Sequence, residues 1–420
     1  MARTYFLTLL LLILISGIRV DDSAAQTSGY EVIPSPDLWY NAVDGIRVGI
    51  NLKGQVPGTF EDGPHRLDAG LWLGLWFPDN PLSYYVGYTE PISSWSEFGS
   101  EANIELISSI RTGYHNHGIA FNKRWQQGFD ERRYREIRLY NSFEKRFNSE
   151  YTPFMSLWSE ESKLLTTFSA EIKNDNRFGW YQIRVGASFQ YLNEAYSMFG
   201  LSGSQNIRFN DYWGLKARIY TGVVTADSAP EYLHSRSMRP AIGWMSSGVT
   251  RAKGTIPQTW MESGNIQIAG GANVRGYTNR DIESFQRTCT FQDGRGGVCL
   301  EQDTAPLLFN SIASFNLELD FWNPVTNIFN DIPYASEFMR FRSYLFYDMG
   351  RSLELIDQES KGSFSNMGAG FSLSLNLPDY RGKERGFVLR YEIPFWLSEP
   401  GDEESFRIRH LFGFGAVISF

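Results

Sequence analysis

The chain has 420 residues, 42% hydrophobic and 15% aromatic, with a formal net charge of −8. This acidic balance argues against a nucleic-acid partner, because nucleic-acid binding favours a basic surface. The chain has five histidines and two cysteines and contains no Cys-x-x-Cys, His-Glu-x-x-His, Gly-x-Ser-x-Gly or phosphate-loop sequence. We therefore expect a protein that is not an enzyme and that holds no metal and no cofactor.

The first 25 residues have the organisation of a secretory signal peptide. Arg3 provides a positive charge, residues 6–18 form an apolar run, and Ser23-Ala24-Ala25 is a small-residue cleavage site. The apolar run is too short to cross a bilayer comfortably. We expect residues 1–25 to be removed on export and residues 26–43 to form a short periplasmic segment.

The mean hydropathy is −0.31, and after residue 25 no apolar run is long enough for a transmembrane helix. A transmembrane β-barrel has this property too, because its lipid-facing and lumen-facing residues alternate and cancel in a hydropathy average. The chain contains 12 Trp, 22 Tyr and 31 Phe, a content that suits aromatic girdles at two membrane interfaces.

Alternation of apolar and polar residues is the dominant pattern. It begins at residues 46–52, where Ile46 and Val48 lie on one face and Arg47 on the other. Eight more segments follow at about 67–77, 82–88, 102–110, 114–125, 133–143, 164–172, 181–191 and 213–223. After a stretch without alternation, at about 225–305, five segments complete the chain at about 315–321, 339–348, 367–375, 387–395 and 406–420.

These segments predict an all-β fold, a transmembrane antiparallel β-barrel of about 14 to 16 strands over residues 44–420, with a long loop at 225–305. A soluble β-sandwich or a lipocalin-like barrel is the alternative, and alternation alone excludes neither. Apolar faces on nearly every segment and the lack of Greek-key spacing favour the membrane barrel.

The chain ends on an alternating segment whose apolar face carries Phe412, Phe414, Ile418 and the terminal Phe420. A terminal aromatic residue of this kind resembles the signal by which outer-membrane barrels are recognised for assembly. Physically, the segment is an edge strand that can pair with another strand.

The long loop contains Val274-Arg275-Gly276-Tyr277. This sequence, placed before five terminal strands, resembles the signature of the BamA–TamA superfamily of outer-membrane β-barrels. The resemblance implies that the loop folds back into the barrel lumen. It also implies that Gly276 allows a close approach to the wall and that Tyr277 packs against lumen groups.

The resemblance further implies that Arg275 reaches acidic residues on the inner wall. Glu318, in Asn-Leu-Glu-Leu, and Asp348, in Phe-Tyr-Asp-Met-Gly, occupy the matching positions. Alternation places both on polar faces, so both should point into the lumen and form charge-assisted pairs with the guanidinium.

Cys289 and Cys299 follow the motif. In an exported protein, two cysteines this close in sequence are most simply a disulfide that closes a small loop. In the family that the motif resembles, this segment is the return arm of the same loop, near the cell surface.

The chain departs from that family before the barrel. Family members carry periplasmic POTRA modules there, and residues 26–43 leave no room for one. Relatives have sixteen strands, so we expect an unrecognised hairpin between Gln126 and Ser162. The resemblance implies insertion or translocation of proteins, or of lipids, at the outer membrane of a Gram-negative-type bacterium.

The mechanism expected from the resemblance is a weak seam between the first strand, at Ile46 and Val48, and the last. The partners expected are outer-membrane lipid and lipopolysaccharide, client barrel proteins and a separate periplasmic module. A passive or gated pore for small solutes is the alternative function, and a purely structural or surface-antigen barrel is a third.

Overall fold

The structure is a computed structural model. It describes residues 29–41, 45–56, 65–76, 81–111, 113–126, 133–149, 152–210, 212–225, 228–245, 258–289, 299–324, 339–353, 362–378 and 384–416. The expected signal peptide, residues 1–25, lies outside these ranges. None of the helices within them is long and apolar enough to cross a membrane.

Eleven strands precede the long loop: β1 Glu31–Asn41, β2 Gly45–Gln55, β3 Arg66–Gly74, β4 Leu82–Pro91, β5 Ser100–Arg111, β6 Tyr114–Gln126, β7 Tyr134–Arg146, β8 Lys163–Asn176, β9 Gly179–Gln190, β10 Tyr196–Arg208 and β11 Gly214–Val224. The loop contains a short helix, α1 Gln258–Glu262, and three strands, β12 Ile266–Ile268, β13 Ile282–Cys289 and β14 Cys299–Pro306. Five strands follow: β15 Ser311–Phe321, β16 Met339–Ser352, β17 Ser363–Pro378, β18 Glu384–Leu397 and β19 Leu411–Ala416.

Sixteen of these strands form one antiparallel meander. Each of β1 to β10 pairs with the next strand in the chain. β11 pairs with β15, so β12, β13 and β14 of the loop are not part of the meander. β15 to β19 again pair in order. The meander therefore has sixteen strands in the described part of the chain, within the range that the sequence predicts.

The outer face of the meander is apolar around most of the sheet. In β2, Ile46 and Val48 are 45% and 50% exposed, whereas Arg47 between them is 1% exposed. The same exposure of large apolar side chains recurs at Leu73, Leu106, Ile119, Leu139, Phe168, Ile183, Phe199, Ile219, Leu345, Met367 and Phe412. An apolar belt of this extent requires lipid rather than water around it. The predicted fold class, an all-β transmembrane barrel, is confirmed, and the soluble alternatives do not fit.

The expected hairpin is wrong. Between Gln126 and Ser162 the described chain holds β7 alone, and the strands that the sequence pattern missed are β1 and β10. The sequence pattern does not predict β1 because this segment contains Pro34 and Pro36, and prolines argue against a strand. The sequence pattern does not predict β10 because Gly200 and Gly203 interrupt its alternation of apolar and polar residues.

The expected start of the barrel is also wrong. β1 pairs with β2 along its whole length, from Glu31 opposite Gln55 to Asn41 opposite Gly45. Residues 31–41 therefore belong to the barrel, and they are not part of a separate periplasmic segment that extends to residue 43.

Both ends of a sixteen-strand meander lie at the same rim. The connection between β11 and β15, by far the longest at residues 225–310, joins these strands at the opposite rim, as do the connections 147–162 and 398–410. The rim of the two chain ends has one connection similar in length to the last two, residues 322–338. In outer-membrane barrels the turns on the periplasmic side are short and the external loops long. We therefore call the rim with the longest connection, residues 225–310, the outer rim and the other the inner rim.

Candidate functional site: a lumen loop clamped to the wall

The long loop lies inside the barrel, because it contacts opposite parts of the wall. On one side, Glu231 of the loop forms a buried ion pair of 2.7 Å with Lys163 of β8. On the other side, Arg275 of the loop pairs at 2.8 Å with Glu392 of β18, which is seven strands from β8 in the order of pairing. The loop carbonyl of Gly271 also accepts a 2.7 Å hydrogen bond from Arg218 of β11. The loop thereby brings the Val-Arg-Gly-Tyr segment against the inner faces of β15 to β18.

Arg275 is the centre of this contact and has no exposed surface. Its Nε and Nη2 donate to the two carboxylate oxygens of Asp348 at 2.9 and 2.7 Å. Its Nη1 donates to Glu318 and to Glu392, each at 2.8 Å. The three carboxylates belong to β16, β15 and β18, so one guanidinium joins three strands to the loop. The planar fork of arginine suits this arrangement, which a lysine ammonium could not reproduce.

An aromatic ring supports the guanidinium from the wall. The guanidinium carbon of Arg275 lies 3.9 Å from the centroid of the Phe346 ring. Phe346 of β16 lies directly opposite Gly368 of β17, and a Cβ at Gly368 would sit 2.2 Å from that ring. The glycine therefore lets the ring lie flat on the wall, where its face attracts the cation.

The carboxylates around Arg275 have further cationic partners. Arg390 of β18 pairs with Glu392 at 2.9 Å and also with Glu318. Lys216 of β11 stands directly opposite Glu318 in the strand register. The cluster thus contains three cations, Arg275, Arg390 and Lys216, and three carboxylates, Glu318, Asp348 and Glu392. These pairings offset the cost of removing each charge from water, a cost that is not offset for an unpaired buried charge.

The other residues of the motif fill the space between the loop and the wall. Val274 is fully buried, and the Tyr277 ring packs edge-on against Phe364 at a centroid distance of 5.6 Å. The Tyr277 hydroxyl accepts a hydrogen bond of 3.2 Å from the backbone N–H of Glu399. Gly276 lies in a single turn of 3-10 helix, Arg275–Tyr277, and a Cβ there would sit 2.4 Å from Leu397. Space, rather than backbone conformation, requires a glycine at this position.

The structure joins Arg275 to Glu318 and Asp348, as the motif predicts, and also to Glu392, which the motif does not indicate. On β18, alternation placed Glu392 on the polar face, and nothing in the sequence distinguished it from other lumen-facing acids. A second buried arginine of the loop, Arg236, has no motif that indicates it in the sequence. Arg236 pairs with Asp281 at 3.3 Å and with Glu399 at 3.2 Å.

The last strand has an unusual second neighbour. One edge of β19 pairs with β18, and β12 of the loop pairs with β19 in parallel, with Ile266, Gln267 and Ile268 opposite residues 412–414. The backbone N–H of Phe412 donates to Asn265 at 2.7 Å. Among the strand pairings that the structure describes, none joins β1 to β19. A loop segment therefore occupies the edge by which the last strand would meet the first.

The other residues of the expected seam are placed as follows. Ile46 and Val48 lie on the outer face of β2, the second strand, and Phe412 is 45% exposed on the outer face of β19. The side chain of Phe414, together with Ile418 and Phe420, lies outside the described part of the chain. The seam expected at the strand containing Ile46 is wrong in its first member, because β1 and not β2 is the first strand.

The two cysteines lie opposite each other in a hairpin of the loop. β13 and β14 pair in antiparallel register, with the Cα of Cys289 opposite that of Cys299. Directly opposite residues of an antiparallel pair have Cβ atoms close enough for a disulfide. Their side chains lie outside the described part of the structure, so the disulfide stays a prediction.

No protein-family profile matches the chain, and no match was found among curated protein sequences. Among solved structures, the fold is similar to BamA from Haemophilus ducreyi lacking POTRA domains 1–3. That chain is 14% identical, with a TM-score of 0.46, and the match covers 92% of this chain and 70% of the other. A bacterial polysaccharide outer membrane secretin is similar at 10% identity and a TM-score of 0.35, over 91% of this chain and 93% of the other.

Proposed function

We propose that this outer-membrane barrel inserts or translocates client proteins, and that a client strand engages the edge of β19. The observation that carries the proposal is the pairing of β12 with β19. It is a backbone pairing between the last barrel strand and a segment that is not its neighbour in the meander. An edge with this property accepts an extended segment by β-augmentation, and a client strand would take the place of β12.

The opposite side of the seam is poor in hydrogen-bond donors. Pro34 and Pro36 of β1 lack backbone N–H groups and are two residues apart, so their nitrogens face the same edge of the strand. Both residues lie within the continuous pairing of β1 with β2. The missing donors therefore face away from β2, towards β19. A closing pair between β1 and β19 would be weak, which favours opening at this place.

The arginine cluster would keep the wall next to the seam rigid while the seam opens. Arg275 ties the loop to β15, β16 and β18, so the wall next to the seam keeps its shape while β12 leaves β19. A separate periplasmic module would deliver the client under this proposal. Transport of lipid along the same opening is a variant of it.

A reversible lock tests the proposal. Ile266 and Phe412 are register partners, so Ile266→Cys with Phe412→Cys, in a chain whose own cysteines are serine, can join β12 to β19. We expect the oxidised protein to lose assembly of a reporter β-barrel in proteoliposomes and to regain it on reduction. Undiminished assembly by the fully locked protein would overturn the proposal.

A matched lock controls for the crosslink itself. Val48→Cys with Leu73→Cys joins register partners on the outer faces of β2 and β3, away from the seam. This lock should leave assembly unchanged in both redox states. Heat-modifiable migration in gels then verifies that both locked proteins are folded barrels.

A pore is the second candidate, favoured by the lumen wall that faces away from the clamp. There the ion pairs are open to solvent: Arg184, paired with Glu171, is 61% exposed, and Arg138, paired with Glu105 at 2.7 Å, is 30% exposed. Charges of both signs on such a wall favour water in this half of the lumen. Large, steady conductance in planar bilayers would support a pore, whereas small, erratic openings would support a plugged barrel.

A further inference from the structure

The apolar belt is interrupted by a polar cluster on the outer face of β4 to β7. On β6, His115 and His117 share the face of Ile119, which is 48% exposed. Nδ1 of His117 lies 2.9 Å from the Ser108 hydroxyl, and its Nε2 lies 3.4 Å from His115. The Tyr84 hydroxyl extends the chain of hydrogen bonds, at 3.1 Å from Ser108.

The cluster lies close to the outer rim. β6 begins at Tyr114, at the outer rim, so His115 is the second residue of its strand and His117 the fourth. Lys145 of β7 lies directly opposite His115 in the strand register and is exposed. At about 3.3 Å per residue along a strand, these side chains lie in the headgroup region of the outer leaflet.

A second polar group extends the cluster towards β9. The hydroxyls of Thr166 and Tyr191 donate to the side-chain oxygen of Asn141, at 2.5 and 3.1 Å. Asn141 lies on the same outward face of β7 as Lys145. Its amide nitrogen adds a donor to the patch.

The charge of this surface is of one sign. Along the outer-rim halves of β4 to β8, the outward-facing residues that the structure describes include Lys145 and two histidines but neither aspartate nor glutamate. A metal site does not explain the pair of histidines, because no group of three potential metal ligands occurs among the described residues. The polar side chains of the cluster bond to one another, and the exposed ammonium of Lys145 adds a positive charge that an anionic lipid headgroup can bind.

We propose that this patch, comprising Tyr84, Ser108, His115, His117, Asn141 and Lys145, binds the phosphorylated sugar headgroup of an outer-leaflet glycolipid of the lipopolysaccharide class. Lys145 and the histidines meet the phosphate, and the amide and hydroxyl groups meet sugar hydroxyls. The site depends on the membrane orientation of the barrel but not on strand insertion. Loss of lipid binding and loss of client assembly are therefore separate outcomes.

The test is retention of glycolipid by the purified barrel, measured by native mass spectrometry after reconstitution with phosphorylated lipid A. We expect Lys145→Gln to reduce retention about fivefold, the effect of one basic side chain near an anionic surface. His115→Ala with His117→Ala should reduce it as well. Lys123→Gln is the matched control. Lys123 faces outward on β6, the strand of the two histidines, but lies near the inner rim. Its ammonium donates to the Trp95 carbonyl and to the Ser100 hydroxyl, at 2.5 Å each.

Heat-modifiable migration verifies that each variant is folded before its lipid is measured. Equal retention by wild type, Lys145→Gln and the histidine double variant would overturn the proposal. Equal retention of dephosphorylated lipid A would exclude the phosphate contact, and would overturn it too. Displacement of the glycolipid by the same concentration of inorganic phosphate would show a site for free anions instead of a lipid site.

Discussion

Arg275 and Asp348 form a bidentate ion pair in the barrel lumen, although 73 residues separate them in the chain. Asp348 also accepts a hydrogen bond of 3.3 Å from the backbone N–H of Arg275. The carboxylate therefore fixes the main chain of the loop as well as its side chain. Both side chains are fully buried, so removing either partner leaves the other without solvent to replace it.

Replacing Arg275 should destabilise the barrel severely. Arg275→Ala leaves three buried carboxylates without their shared partner, at a cost of about 3–5 kcal/mol in the free energy of unfolding. Arg275→Lys restores the charge but not the fork, and should recover only part of that loss. Urea unfolding in lipid vesicles and heat-modifiable migration measure the effect. Arg177→Ala, at an exposed position in the β8–β9 turn, should change stability by about 0.5 kcal/mol or less.

Glu392 should matter as much as the acids that the motif indicates. It has no exposed surface and contacts Arg275, Arg390 and the Tyr344 hydroxyl, the last at 2.7 Å. Glu392→Gln leaves two buried guanidinium groups under-compensated and should cost about 3 kcal/mol in unfolding free energy.

Glu136 provides the matched comparison for Glu392. It also faces the lumen, but it is 33% exposed and pairs with Arg124 at 3.6 Å. Glu136→Gln should cost about 0–1 kcal/mol. Equal losses for the two variants would mean that the cluster at Arg275 contributes no more than an ordinary solvated ion pair.

A methyl group at Gly276 should separate the loop from the wall. The added Cβ would sit 2.4 Å from Leu397 and 2.9 Å from Asn366, so Gly276→Ala should cost about 1–3 kcal/mol through overpacking. Gly200→Ala in β10 is the control, because a Cβ there meets no atom within 4 Å. This control should be neutral or slightly stabilising. Unfolding free energies of the two variants that agree within error would refute the close contact at Gly276.

The sequence predicts the fold well because each strand of a membrane barrel alternates apolar residues that face lipid with polar residues that face the lumen. β2 is an example, with Ile46 and Val48 facing lipid and Arg47 facing the lumen. The two strands that were missed carry no such signal. Pairing with β2 makes β1 a strand despite its prolines, and pairing with both neighbours does the same for the glycine-containing β10.

The site was predictable only in part, for a related reason. Alternation places acids such as Glu318 and Glu392 on the lumen face, but it does not state which of them the loop will reach. That choice depends on the depth of the loop and on wall positions such as Gly368, which seats the Phe346 ring beneath Arg275. The pairing of β12 with β19 left no mark in the sequence at all, because three residues are too few to show a period.

The hairpin of β13 and β14 should be closed by a disulfide. Cys289 and Cys299 stand opposite each other in its register, and closing so short a loop restricts the unfolded chain by about 3 kcal/mol. Without reductant, alkylation followed by mass spectrometry should find neither thiol modified, and both should react after reduction. Cys289→Ser with Cys299→Ser should lower stability without affecting the Arg275 cluster. Modification of either thiol in the unreduced folded protein would exclude the bond.

His234 should make the loop sensitive to acid. The residue is 5% exposed, with Nδ1 3.2 Å from the Tyr220 hydroxyl and its ring against Gly222. Burial lowers the pKa of His234 from 6.5 to about 4. The folded state therefore favours the neutral ring. The contribution of this ring to the free energy of unfolding is fully present above pH 6.5 and is lost as the pH falls towards 4. By linkage the loss is about 3 kcal/mol.

Asp281 acts in the opposite direction and must be separated from His234. Burial raises the pKa of the Asp281 carboxyl from 3.8 to about 6, so the folded state binds the proton of this carboxyl more tightly than the unfolded state does. The contribution of Asp281 to the free energy of unfolding therefore increases as the pH falls from 6 to 3.8. The comparison of wild type with His234→Gln isolates the histidine, because both chains keep Asp281. Unfolding free energies between pH 7 and 4 should decline more steeply in wild type than in His234→Gln. His410→Gln, at an exposed position, should follow wild type. Parallel pH profiles for wild type and His234→Gln would show that protonation of His234 does not loosen the loop.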